Sequence, residues 1–323
     1  MNTALRGLCV SASDLATFGD CPARYYHAKQ DYRTGLLPTD RVAAGVSLAV
    51  HDALMVLHRE VELAFDRRRP LPAATARDRL DRILIEQLRE HRLRATDVAV
   101  RAQLSSLSDG LDRAVELIVG DMSAWAVDRD RCESMVWVEA PLDHGPRIQA
   151  VELAPGYLVR TRPDVIGLRD TDDGRCRGVV RDFKARGEVV NPAFDDGVLV
   201  RAIWVMTELQ NPRCRWFVAG RSIQADTSGV ELETVNLKHA ASEDFHLWVS
   251  LSAEELPDHR ERIMETMERM DQALGIGDPE LVPANPGGLC LAWCAYLGYC
   301  QAGQAHVRKY HGPEALADRL GVH

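Results

Sequence analysis

Apolar residues recur at helical spacing through the first third of the chain and give way to alternation near residue 132. Leu15 and Phe18 sit three apart behind Ser13, which can cap a short helix, and Pro22 interrupts it. From about Val46 to Phe65, Val50, Ala53, Leu54 and Leu57 follow the i, i+3, i+4, i+7 spacing of one buried helix face. Pro70 and Pro72 end that run. The same period predicts helices over about 76–92 and 98–127, the second lined by Leu104, Leu107, Leu111, Val115 and Ile118. Past Cys132, the segments SMVWVEAPL, RIQAVELA, YLVRTRPDVIGL and GVVRDFKA are short, rich in β-branched residues and separated by Gly, Pro and Asp. They predict an antiparallel or mixed sheet. A helix is expected over 198–209, then strands in CRWFVAGRSI and VELETVNL, then a helix from Ser252 whose Glu255 completes a capping box. No repeat, low-complexity tract or linker stands out. The simplest account is one α/β domain over 1–323, with a helical region to 130, a sheet core over 131–240, and a last helix with clustered cysteines over 241–323.

With 46% hydrophobic and 27% charged residues, the composition is that of a globular protein. The chain has no eighteen-residue uninterrupted apolar run, and MNTALRGLCV lacks a signal-peptide pattern. A cytoplasmic, membrane-free protein is expected, in which the eight cysteines serve as thiols or metal ligands rather than disulfides. The net charge of −9 argues against a surface coated in basic groups for nucleic acid. Lysine is confined to Lys29, Lys184, Lys238 and Lys309, so positive charge is almost all arginine. Arg67, Arg68, Arg69, Arg77, Arg79, Arg82, Arg89, Arg92, Arg94 and Arg101 crowd one stretch. Interleaved with Asp78, Asp81, Glu86 and Glu90, they read either as a solvated helix face or as a phosphate-tracking surface.

The chemistry concentrates in the central strands. Residues two apart on a strand share a face, so Asp182 and Lys184 point one way and Arg181 and Phe183 the other. Asp164, in the Pro163-Asp164 turn eighteen residues upstream, is placed to meet Asp182 from the neighbouring strand. Two converging carboxylates need a divalent cation, and hard oxygen ligands suit Mg²⁺ or Mn²⁺. Lys184 would orient a bound water or neutralise charge on a phosphate. His51, on a helix beside Val50 and Leu54, is a third candidate, although such a histidine is more often a core residue. Glu139, in VWVEAPL, reads more readily as an exposed strand carboxylate than as part of this site.

Near the end, Cys290, Cys294 and Cys300 fall within CLAWCAYLGYC. A closed tetrahedral site needs a fourth ligand. Cys132, Cys176 and Cys214 lie in or near predicted strands and read as small core hydrophobes, whereas Cys21 precedes Pro22 at a helix break. Zinc is the default for four thiolates and an iron–sulfur cluster the alternative, and spacing does not separate them.

Taken together, SASDLATFGDCPARYY, His51 in VHDAL, Asp164 in RPDVIG, Asp182-Phe183-Lys184 and PANPGGLCLAWCAYLGYC resemble the RecB-like, iron–sulfur branch of the PD-(D/E)XK nucleases. These anchors run in order from Ser11 to Cys300. The resemblance implies a restriction-endonuclease-like mixed sheet flanked by helices, with an N-terminal helical arm and an iron–sulfur clasp joining the chain ends. Asp164, Asp182, the carbonyl of Phe183 and His51 would hold the divalent metal, with Lys184 positioning the water. Cys21, Cys290, Cys294 and Cys300 would hold a [4Fe–4S] cluster, and DNA, often a single-stranded end, would be the substrate. Departures from the pattern are Ser47 and Thr161 where glycines are usual, a C-x3-C-x5-C spacing, and Val200 and Trp204 where a Gln-x-x-x-Tyr pair contacts substrate. Trp204 retains the capacity to stack on a base.

Two functional classes follow. The first is a metal-dependent exonuclease on single-stranded or frayed DNA ends. No G-x-x-x-x-G-K-[ST] is present, so unwinding would fall to a partner such as a helicase. The second is a DNA-end-binding or assembly subunit with a structural cluster, favoured by Val200 and the acidic charge and opposed by the intact Asp164, Asp182 and Lys184.

Overall fold

A computed structural model of the chain describes residues 8–30, 38–66, 69–127, 136–138, 149–161, 164–171, 174–185, 187–210, 217–218, 221–222, 225–276, 278–292, 294 and 296–321. Their strands and α-helices, in chain order, are β1 (Leu8–Ser11), α1 (Ala12–Asp20), α2 (Pro22–Gln30), α3 (Pro38–Asp66), α4 (Ala73–Glu90), α5 (Val98–Ser105), α6 (Ser108–Val127), β2 (Val136–Val138), β3 (Gln149–Ala154), β4 (Tyr157–Thr161), β5 (Val165–Asp170), β6 (Cys176–Lys184), α7 (Asp196–Gln210), β7 (Phe217–Val218), β8 (Arg221–Ser222), β9 (Ala225–Asn236), β10 (His246–Ser252), α8 (Leu256–Gly275), α9 (Gly288–Ala292) and α10 (Gln301–Leu320). The chain divides into two compact units. One comprises Met1–Arg41, Glu152–Arg160 and Glu261–His323; the other comprises Val42–Val151 and Thr161–Arg260. Glu139, Pro163, Cys132 and Cys214 lie outside the described residues.

In the second unit a mixed five-stranded sheet runs in the order β10-β9-β6-β5-β2. β9 pairs parallel with β6, and the other pairings are antiparallel. A parallel pair needs a crossover, and α7 supplies it, packing on both β6 and β9. It lies so close that a Cβ on Gly178 would fall 2.6 Å from Val205 Cγ1. Against the sheet pack α3, α4 and α6, which share one core with Val165, Phe183 and Val235. Val42–Ala64 has the length and mean hydropathy, 1.2, of a membrane-crossing helix, yet 44% of that window is buried in the protein. Its apolar face is core, and His51 and His58 lie on the same helix.

On its α6 side, β6 presents Arg181, which donates to Glu233 at 2.7 Å and to Asp121 at 2.6 Å; Arg169 reaches Glu233 at 2.8 Å. Arg181 and Glu233, both buried, neutralise each other, and the partly exposed Arg169 and Asp121 complete a network that ties β5, β6 and β9 together. His58 is fully buried nearby, and neither ring nitrogen has a hydrogen-bond partner among the described residues. Burial first, and then the Arg181 charge, press its pKa down to about 3, so the ring stays neutral.

In the first unit β1 pairs parallel with β4. Phe18 and Tyr25 meet edge to face at 5.5 Å across the break between α1 and α2. The two ends of the chain meet here: Ala23 N–H donates to the Pro283 carbonyl at 3.0 Å, and the Asn285 amide to the Asp20 carbonyl at 3.1 Å.

Several boundaries differ from the periodicity. The first helix is capped by Ser11, not Ser13. Ser11 Oγ accepts from Asp14 N–H at 3.2 Å and Asp14 accepts from Ser11 N–H at 2.8 Å. A capping box needs a carboxylate three residues on, which Ser11 has and Ser13 lacks. The helix expected over 98–127 is two, because the chain tightens at Leu107, whose N–H reaches Leu104 O at 3.0 Å. The restart seats Gly110 against the Leu237 backbone, where a Cβ would lie 1.8 Å from the carbonyl oxygen. YLVRTRPDVIGL contributes two strands, β4 and β5, to different sheets. The helix expected from Ser252 starts at Leu256, Ser252 being the last residue of β10; Glu255 still accepts from Ser252 N–H at 2.9 Å.

Candidate metal centre

Three elements of the second unit bring His51, Asp164 and Asp182 together, with ligand atoms all within 4.8 Å of one another. His51 comes from α3, Asp164 from the residue before β5, and Asp182 from β6. The antiparallel register pairs Val165 with Arg181, which sets Asp164 beside Asp182 at the end of both strands. Asp164 Oδ2 accepts the Phe183 N–H at 2.7 Å and faces His51 Nδ1 at 3.0 Å. The Phe183 side chain is buried in the core beneath.

Asp182 and Lys184 share the α7 side of β6, as strand alternation predicts. The Lys184 ammonium contacts Asp182 Oδ2 and donates to Asp195 Oδ2 at 3.0 Å. Asp195 is the cap of α7: its Oδ1 accepts the Val198 N–H at 3.1 Å, and its carbonyl accepts from Leu199 N–H at 2.9 Å. One turn into α7, Arg201 places Nη1 2.6 Å from Asp182 Oδ1 and donates from Nε to Thr161 Oγ1 at 3.1 Å. Neither contact to Asp182 has the alignment of a hydrogen bond, so these are close ion pairs.

Burial pushes each charged form toward neutrality, and the local charges override it. Arg201 and Lys184 hold the Asp182 carboxyl well below the usual carboxylate range. Asp182 and Asp195 hold the Lys184 ammonium above its ordinary value. Asp164 raises His51, so its imidazole carries a proton more readily than a free histidine. The centre therefore sets an ionised Asp182 against fixed cations.

Two buried carboxylates and a half-buried imidazole, converging, match the donor set of a divalent cation with hard or borderline preference. Asp195 and Arg201 were not singled out from sequence. An acid immediately before the apolar run of α7 is a recognisable cap, whereas nothing in the pattern marks Arg201. Of the two positions aligned with a substrate-contacting pair, Val200 is fully buried in the core and Trp204 is half-buried. On the arginine-rich stretch, Arg77 pairs with Asp81 and Asp112, and Arg79 with Glu60 at 2.8 Å. That favours a charge-balanced helix face.

In the first unit Cys21, Cys290, Cys294 and Cys300 line one small cavity with Arg24, His27 and Gly303. Backbone amides point at three of the sulfurs: Asn285 at Cys21, 3.4 Å, Gly287 at Cys290, 3.4 Å, and Gly303 at Cys300, 3.3 Å. A Cβ on Gly303 would lie 3.4 and 3.6 Å from the Cys300 and Cys290 sulfurs. Burial, and then the proximity of the other thiols, push Cys290 and Cys294 up.

Comparison with known proteins agrees with this geometry. No curated protein matches the chain. A sequence model of the PD-(D/E)XK nuclease superfamily matches residues 9–301, a span that includes every residue of the candidate centre, and the chain belongs to that superfamily.

Proposed function

We propose that the chain is a Mg²⁺- or Mn²⁺-dependent deoxyribonuclease acting as an exonuclease on single-stranded or frayed DNA ends. Its superfamily makes it a metal-dependent nuclease with DNA as substrate. The observation that carries the reading is the convergence of His51, Asp164 and Asp182 with Lys184 beside them. His51, Asp164 and Asp182, with the Phe183 carbonyl, would hold the ion, which supplies a water of lowered pKa and charge neutralisation at the phosphate. Asp164 is held by the Phe183 amide, so its carboxylate is aimed before any ligand arrives. Lys184, kept charged by Asp182 and Asp195, can orient the attacking water and meet the charge developing on the phosphoryl oxygens. Trp204 offers a half-buried ring for a base.

The four cysteines are read as ligands of a [4Fe–4S] cluster. The backbone amides aimed at three of the sulfurs, and the cavity that the four thiols line, support a thiolate-held cluster. A brown preparation with broad visible absorbance is expected, and a colourless anaerobic preparation with stoichiometric zinc would overturn the assignment.

Degradation of end-labelled single-stranded DNA with Mn²⁺, and its loss in EDTA and in Asp182→Ala, tests the nuclease reading. Equal traces of activity in wild type and variant would leave the cutting to a contaminant. A circular single strand cut as fast as a linear one would refute the exonuclease assignment alone.

A further inference from the structure

Arg201 stands at the metal centre without a part in the chemistry above. Both oxygens of Asp182 already face a fixed cation, Oδ1 the Arg201 guanidinium at 2.6 Å and Oδ2 the Lys184 ammonium. The Arg201 side chain is only 12% exposed and is tied by its Nε to Thr161, itself buried. Thr161 and Val200 are two of the positions where the chain departs from the RecB-like pattern. The fold links them: Val200 turns into the core, and Arg201, next to it in α7, turns to the site and takes the Thr161 hydroxyl as its partner.

We propose that Arg201 is a positioning residue that stands in place of a second metal ion, restricting the centre to one divalent cation at His51, Asp164 and Asp182. The inference rests on the nuclease reading of this site. A carboxylate that bridges two ions must give one oxygen to each. Here Oδ1 is covered by a group that does not lose its proton and whose departure would also break the Thr161 bond. The charges agree. By formal charge, three carboxylates, Asp164, Asp182 and Asp195, against Lys184 and Arg201 leave one net negative charge once His51 has given up its proton to act as a ligand. A single divalent ion turns that to one positive charge, suited to one phosphate. A second ion would gather three positive charges in a buried site, a large uncompensated cost.

The test is Mn²⁺ titration of the full chain by calorimetry, with electron paramagnetic resonance of the bound ion, counting the sites that Asp182→Ala removes. Wild type is expected to bind one Mn²⁺ per chain. Arg201→Met is expected to bind two, the first on the order of tenfold more tightly because a competing charge has gone. Arg201→Lys, which keeps the charge, is expected to stay at one. Two Asp182-dependent ions in wild type, or one in Arg201→Met at unchanged affinity, overturns the role of Arg201. Should Arg201→Met not fold, one ion in both wild type and Arg201→Lys upholds the proposal and two in either overturns it. A wild type with no Asp182-dependent Mn²⁺ overturns the metal-centre reading, and the proposal with it.

Discussion

Replacing His58 by leucine should make the protein markedly less sensitive to mild acid. The wild-type ring is fully buried, lacks a partner among the described residues and has a pKa of about 3, against 6.5 when exposed. Between those values the unfolded chain binds a proton that the folded chain does not, so stability rises with pH across the window and falls as pH drops from 6.5 toward 3. The folded value lies far enough down that it does not enter the arithmetic at pH 5. There the unfolded histidine is almost fully protonated and the folded one is not. The loss on going from pH 7.5 to pH 5 is then set by the 1.5-unit distance below 6.5, or about 2 kcal/mol. Leucine has no such term. Urea unfolding of both proteins at pH 7.5, 6 and 5, followed by tryptophan fluorescence, gives the double difference. Acid-sensitive groups common to both cancel, and so does any fixed cost of the substitution. Wild type should lose about 2 kcal/mol more than His58→Leu over the interval. Parallel losses would mean that His58 protonates inside the fold, and the account of its burial would be wrong.

Asp182→Asn is expected to lower stability by about 3–5 kcal/mol as well as abolish Mn²⁺ binding, because it leaves the largely buried Arg201 without its carboxylate and Lys184 with Asp195 alone. A rise in Tm would show instead that repulsion between the acids dominates. Lys184→Met should leave Mn²⁺ stoichiometry unchanged and lower kcat by about 10²–10³-fold, measured on a labelled strand at saturating substrate. Because Asp164 raises His51 above 6.5, loading the ion must displace a proton as pH falls through that raised value. Mn²⁺ affinity should therefore drop toward acid pH. Titrations in buffers of different ionisation enthalpy should report about one proton released, and their agreement at pH 6 would refute this.

Strand alternation alone separated Asp182 and Lys184 from Arg181 and Phe183, and the structure places the first pair toward α7 and the second toward α6. Alternation is a local property of extended backbone, so no fold is needed to read it. The helices α3, α4 and α7 are equally legible, since burying one face leaves a 3.6-residue trace, whereas α2 and α10 are not among those the periodicity predicts. The break at Leu107 was not legible, because Leu104, Leu107 and Leu111 keep the apolar period through the turn. What decided it was the close packing of Gly110 on Leu237, a contact between residues far apart in the chain. Strand β10, by contrast, leaves a blurred trace in HLWVSLS, because the exposed Trp248 interrupts the alternation of Leu247, Val249 and Leu251 with polar residues.

By itself, then, the sequence determined which residue types were available for metal chemistry and in what order they came, because motif residues and alternation are written locally. Only the tertiary structure decided what surrounds them. The crossover α7 brings Arg201 and Asp195 to the end of β6, and the sheet register sets Asp164 beside Asp182. Charges meeting across the fold leave no periodic mark in the chain, since each pair is fixed by packing between distant elements. Arg201 in particular looks like any helical arginine until the sheet beneath it is in place.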